Sequence, residues 1–121
     1  MKGIIYESEL KVLELLWKDG DATAKELAIK LKESTAWSKT TSYTVIGKCV
    51  KKGLITRTEP DFMCRVNITR EEARQHEATI LIDKMFGGSS DLLIASLLDG
   101  KKMTSEQIDR LRAQADAMLT E

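Results

Sequence analysis

The chain contains one proline, one histidine and two cysteines, and only 5% of its residues are aromatic. Each scarcity removes a class of chemistry. Cys49 and Cys64 have no CxxC or HxxxH spacing around them that would hold a metal. Both read as buried thiols kept reduced. His76 has no Ser or Cys beside it in a recognisable setting, so no nucleophile–base pair is expected. No Gly-rich phosphate loop is present. Neither an enzyme nor a cofactor or metal site is expected. The longest apolar run, around Leu92 to Leu98, is far too short to cross a membrane. The N-terminus meets acidic residues at once and lacks the apolar stretch of a signal peptide. A cytoplasmic protein without membrane insertion is therefore the expectation.

What is present is ordinary in amount and uneven in placement. The 121 residues are 42% hydrophobic and 31% charged, which suits one compact domain or two small ones. Net charge is zero, yet residues 1–70 carry 13 Lys/Arg against 9 Asp/Glu, and residues 71–121 carry 6 against 10. Residues 39–65 alone hold six basic side chains and two acidic ones. A local basic patch of this kind points to nucleic acid more strongly than the total argues against it.

Helix signals come first along the chain. Ser8 is placed to cap a helix running to about Lys18, with Leu10, Leu13, Leu16 and Trp17 as its apolar stripe. Thr23 and Glu26 make a capping box for a second helix carrying Leu27, Ile29 and Leu31. Ser38 offers a cap for a third, and Gly53 closes it. The period then shortens. Leu54–Thr58 is a short β-branched stretch, and Glu59-Pro60-Asp61 is turn chemistry. Phe62, Cys64, Val66 and Ile68 alternate with Met63, Arg65 and Asn67 as a half-buried strand. Thr69 with Glu72 and Thr104 with Gln107 open later helices, and Gly87-Gly88 ends the long one between them. A short apolar helix covers Asp91 to Leu98. The expected fold is mainly α with a small β-hairpin: a winged helix-turn-helix followed by C-terminal helices.

The third helix reads "SKTTSYTVIGKCVKKG" from Ser38 to Gly53. Ser42, Val45, Ile46, Cys49 and Val50 fall on one side at about 100° per residue. Thr41, Thr44, Lys48 and Lys51 fall opposite, flanked by Thr40, Tyr43 and Gly47. Short hydroxyl side chains let a helix N-terminus enter a major groove, where Thr can meet a base edge or a thymine methyl. The N-terminus with Ser38 and Lys39 attracts phosphate. Lys48, Lys51 and Lys52 are spaced to reach the backbone, and Arg57 and Arg65 would do so from the hairpin. Plainer readings stand beside these. Threonines at a helix start also serve capping, lysines near its end favour the dipole, and a strand arginine also blocks edge pairing.

The motifs together resemble the penicillinase repressor (BlaI/MecI/CopY) family of winged-helix transcriptional regulators. Glu9–Trp17, "ELKVLELLW", is similar to the family's opening E-W-x-V-M-x-x-L-W. Thr23–Leu27 matches its second-helix start, and Trp37-Ser38 with Thr41, Thr44, Lys48 and Lys51-Lys52-Gly53 matches its recognition-helix pattern. Phe86-Gly87-Gly88 matches the glycine pair ending its fourth helix. The resemblance implies a repressor that binds a palindromic double-stranded DNA operator as a homodimer, in an antibiotic or stress response. It implies a DNA-binding domain over 1–70 and a dimerisation domain over 71–121. It also implies a membrane sensor-protease system as regulating partner, with a cleavage position at Ser96-Leu97 where staphylococcal members carry Asn-Phe. Copper-responsive members carry a C-terminal cysteine cluster, and this chain has no cysteine after Cys64. Lys48 stands where the family usually has Arg.

Physics supports the dimer separately. The last fifty or so residues are too few for a robust core of their own. Ile80, Leu81, Met85, Leu92, Leu93, Leu97, Ile108 and Leu111 therefore need another surface. A second copy would supply one, and folding back onto the winged domain is the alternative. The rival function is a winged-helix protein-interaction module without direct DNA binding. It would need large apolar anchors on the third helix, where Tyr43 is the one candidate.

Overall fold

In the computed structural model, which describes residues 3–120, helix α1 spans Glu7–Asp19. It starts ahead of the expected cap Ser8. The cap position is Tyr6, whose backbone N–H donates to the Glu9 carboxylate at 2.8 Å. This is the half of a capping box that a carboxylate three residues in supplies, and no hydroxyl completes the other half. The inward stripe of α1 is Glu9, Val12, Leu13 and Leu16. Leu10, expected inside, is 37% exposed.

Gly20, at φ 84°, turns the chain into a two-residue strand β1, Ala22–Thr23. Helix α2 follows over Ala24–Thr35, with the Thr23 hydroxyl accepting from Glu26 N–H at 3.1 Å. Leu27, Ala28 and Leu31 face the core, and Ile29 does not. Helix α3 spans Lys39–Lys51. Its end is a Schellman turn: Leu54 N–H donates to Cys49 C=O and Gly53 N–H to Val50 C=O, each at 3.0 Å, with Gly53 at φ 79°.

Strands β2 (Ile55–Thr58) and β3 (Met63–Val66) form the expected hairpin. The sheet has a third member, however, in the order β1-β3-β2, with Ala22 opposite Cys64 and Ile55 opposite Val66. Two residues are too few for any periodicity to announce β1. Phe62 does not join the strand. Its φ of 54° swings the ring outward, and it is 45% exposed while its carbonyl accepts from Ala24 N–H at 3.0 Å. The core gathers Val12, Leu13 and Leu16 with Leu27, Leu31, Ile46, Leu54 and Ile55. Trp17 Nε1–H donates to Ile68 C=O at 2.9 Å and so ties α1 to the end of the sheet.

The chain divides into two compact units, Met1–Ala78 and Thr79–Glu121, and helix α4 (Arg70–Met85) begins in the first and ends in the second. The capping box at its start is formed: Glu72 N–H donates to Thr69 Oγ1 at 3.0 Å, and Thr69 N–H to Glu72 Oε1 at 3.2 Å. The second unit continues with α5 (Ser90–Asp99) and α6 (Ser105–Leu119). Ser89 caps the former and Thr104 the latter, and neither helix buries a residue.

Candidate nucleic-acid interface

Helix α3 is held by its buried side, which consists of Ser42, Val45, Ile46 and Cys49. Its first turn contains no acidic residue, and Ser38 Oγ accepts from Thr41 N–H at 3.1 Å. At about 100° per residue, the direction opposite that buried set passes through Thr40, Thr44, Gly47 and Lys51. Thr41, Tyr43 and Lys48 lie to either side of it. The outward centre is thus turned slightly from the row expected in the sequence, and Gly47 belongs to the centre rather than the flank. Ser38, Lys39, Thr40, Thr41, Tyr43, Thr44, Lys48 and Lys51 are all exposed.

Two hydroxyls here already donate within the helix. Thr44 Oγ1 donates to Thr40 C=O at 2.9 Å, and Ser38 Oγ donates to Thr41 Oγ1 at 3.1 Å. With its oxygen turned back to the helix, Thr44 offers its methyl outward, which suits contact with a thymine methyl. Lys39 lies over the Tyr43 ring at 5.5 Å. Beneath the face, burial pushes the Cys49 thiol up to about 12, with the Glu9 charge adding to the effect and Lys52 opposing it. Burial also raises Cys64, against the lowering influence of Arg57.

Lys52, expected to reach phosphate, is engaged within the protein. Its ammonium donates to Glu9 Oε1 and to Ile4 C=O, both at 2.7 Å, and lies 4.5 Å from the centre of the Tyr6 ring. Glu9 is 1% exposed. A buried carboxylate and a half-buried ammonium therefore clamp the end of α3 to the start of α1. Sequence reasoning placed Glu9 in a family motif without seeing this use. Its spacing with Val12, Leu13 and Leu16 was the available signal.

Arg57 and Arg65 are both exposed, but the register separates them. Arg57 pairs with Cys64 and Thr56 with Arg65, so the pleat turns the two arginines to opposite faces of the sheet. Arg57 stands 5.2 Å from the Phe62 ring, which holds it near the hairpin turn. Glu59 and Asp61 make the turn itself acidic and unwelcoming to phosphate. The positive charge of the wing thus sits on its strands, at the two arginines, rather than at its tip.

In the second unit, Leu81, Met85, Leu92, Leu97 and Leu111 are between 36% and 65% exposed. Ile80, Leu93 and Ile108 are half-buried. Ser96-Leu97 lies inside α5, where Ser96 C=O accepts from Gly100 N–H and Leu97 C=O from Lys102 N–H, each at 3.0 Å. Among the described residues, no cluster of His, Cys, Asp or Glu could hold a metal, and no helix is long and apolar enough to cross a membrane.

A family model described as penicillinase repressor matches residues 5–117. The chain is similar to the penicillinase repressor of Bacillus licheniformis, at 21% identity over 88% of this chain and 85% of that one. It is also similar to the methicillin resistance regulatory protein MecI of Staphylococcus aureus, at 22% identity over 89% of each chain. Among solved structures, the DNA-binding domain of the repressor BlaI matches 60% of this chain and 93% of its own, with a TM-score of 0.53 and 26% identity.

Proposed function

The chain belongs to the penicillinase repressor family, and from that premise we propose that it represses transcription by laying the outward face of α3 in the DNA major groove. The observation that carries the reading is that face: short threonines at the helix start, lysines after them, no acidic residue in the first turn, and the whole row opposite a fully apolar anchor apart from Ser42. Lys48 and Lys51 would meet phosphates, and Arg57 and Arg65 would meet them from the two faces of the wing. A protein-docking role is less well supported, because Tyr43 is the one large apolar group exposed on this face.

The exposed leucines and methionines of α4, α5 and α6 support a homodimer, and a two-fold dimer suits a palindromic operator. Regulation through a sensor-protease is the family-derived part of the reading. Cleavage at Ser96-Leu97 would first require α5 to unwind, since both carbonyls are held in helix and helix-end hydrogen bonds.

Fluorescence anisotropy with duplexes from upstream of the chain's own gene tests the DNA face. Affinity should fall steeply with salt, and Lys51→Gln should reduce the log–log slope by about 1. Salt-independent binding, or a Lys48→Glu variant that binds as tightly as wild type, would remove α3 from the groove.

A further inference from the structure

Gly47 sits in the middle of a helix, where glycine costs about 1 kcal/mol relative to alanine. A glycine kept there usually has one of two internal reasons. The first is a left-handed backbone, and α3 is an ordinary α-helix at this position, without a positive φ. The second is a close neighbour that a side chain would strike. A Cβ built on Gly47 meets no atom within 4 Å. Among the described residues, then, nothing asks for glycine at this position.

The position itself supplies the remaining constraint. The buried set of Ser42, Val45, Ile46 and Cys49 fixes how α3 is rotated, and Gly47 falls within about 40° of the point directly opposite. It follows Thr44 along the row Thr40, Thr44, Gly47, Lys51. The Thr44 hydroxyl is turned back onto Thr40 C=O, so the row presents Thr44 and then the half-buried, side-chain-free backbone of Gly47 before the first long side chain, Lys51. On either side stand Tyr43 and Lys48, both long and both exposed. The result is a shallow notch at the crest of the helix, flanked by one aromatic and one cation.

We propose that Gly47 is a specificity-determining position, the point at which the backbone of α3 comes closest to the base pairs, so that a side chain there obstructs sequence-specific binding although it strengthens the free protein. This rests on the reading of α3 as the helix that enters the groove. The methyl of Thr44 and the backbone at Gly47 would read the floor of the groove by contact rather than by hydrogen bonds. Specificity would then depend on fit, and an added methyl would lift Thr44 away from its base. Phosphate contacts by Lys48 and Lys51 tolerate such a shift better, because a lysine ammonium is a flexible point charge.

The test compares Gly47→Ala and Gly47→Gln with wild type in the full chain. The DNA probes are the best duplex that wild type selects from a randomised pool and a scrambled duplex of the same length. Both variants should melt higher, Ala by about 4 °C or more. On the selected duplex Ala should lose about tenfold in affinity and Gln more, since a lost base contact is worth about that much. On the scrambled duplex both should match wild type, with the same salt slope. Unchanged affinity of Gly47→Ala for the selected duplex would overturn the proposal and leave α3 as the groove helix. So would a fall in melting temperature, which would reveal an internal need for glycine. If wild type binds selected and scrambled duplexes alike, the reading of α3 itself fails, and this proposal with it.

Discussion

Cys49 lies on the buried side of α3, and burial carries its thiol from the ordinary 9.0 up to about 12. The native fold therefore holds the neutral thiol, and unfolding frees a group that ionises near 9. Its contribution to stability is complete below pH 9 and is lost as pH climbs from there toward 12. Urea midpoints should stay level to pH 8 and then decline, and a Cys49→Ala variant should decline less steeply. Iodoacetamide at pH 8 should label neither Cys49 nor Cys64 in the native protein and both in urea, because the thiolate is the reactive form. Rapid native labelling of Cys49 would mean that the contact between α3 and the core opens readily. Both buried thiols are legible from the sequence, as are the caps at Ser38, Thr69 and Thr104, where a short side chain and its partner lie within one turn. Leu10, Ile29 and Phe62 were not placed correctly. Periodicity establishes that a helix has an apolar side, but the packing of its neighbours decides where that side is centred. Phe62 escapes alternation because a left-handed residue breaks the pleat.

Between elements, the clamp of Lys52 on Glu9, Ile4 and Tyr6 sets how the end of α3 meets the start of α1. A lysine followed by glycine at a helix end reads in sequence as phosphate reach, and only the fold reveals a carboxylate, a carbonyl and a ring converging on it from the far end of another helix. The two uses predict different numbers. A charge already neutralised within the protein releases few counterions when DNA binds, so Lys52→Met should leave the salt slope where it was, whereas Lys51→Gln should lower it by about 1. Lys52→Met strands a carboxylate that is 1% exposed, and should cost about 2–3 kcal/mol in urea unfolding, at the low end of buried pairs because the lysine is partly solvated. Pairing it with Glu9→Gln should recover part of that loss, since Gln keeps an acceptor for Tyr6 N–H without a buried charge. A lowered slope with unchanged stability would return Lys52 to the phosphates. The wing repeats the lesson at Arg57 and Arg65. Their identity and exposure were legible, but opposite faces follow from a register that pairs Arg57 with Cys64, and register is a property of two strands together.

The whole molecule joins a first unit with a closed apolar core to a second whose helices α5 and α6 hold no fully buried residue within one chain. Leu92, Ile94, Leu98, Leu111 and Met118 are each at least 46% exposed. Leaving one such half-exposed side chain in water forgoes about 1 kcal/mol, so several together favour a partner surface. Sequence composition identified the shortage of core in this half, and the exposed leucines give it an address. If the surface is self-complementary, a leucine near its centre meets the same region of the second copy, and a charge placed there appears twice. Leu111→Asp should therefore convert a dimer to a monomer in sedimentation velocity at micromolar concentration. Because Leu111 is 48% exposed in the single chain, the variant should keep the helical circular dichroism of wild type. Its affinity for a symmetric operator should fall on the order of 100-fold, the linkage between half-sites being lost, with affinity for a single half-site unchanged. A Leu111→Asp protein that still sediments as wild type would place the partner surface elsewhere. One that sediments as a monomer yet binds the full operator undiminished would show that repression does not depend on two linked copies of α3.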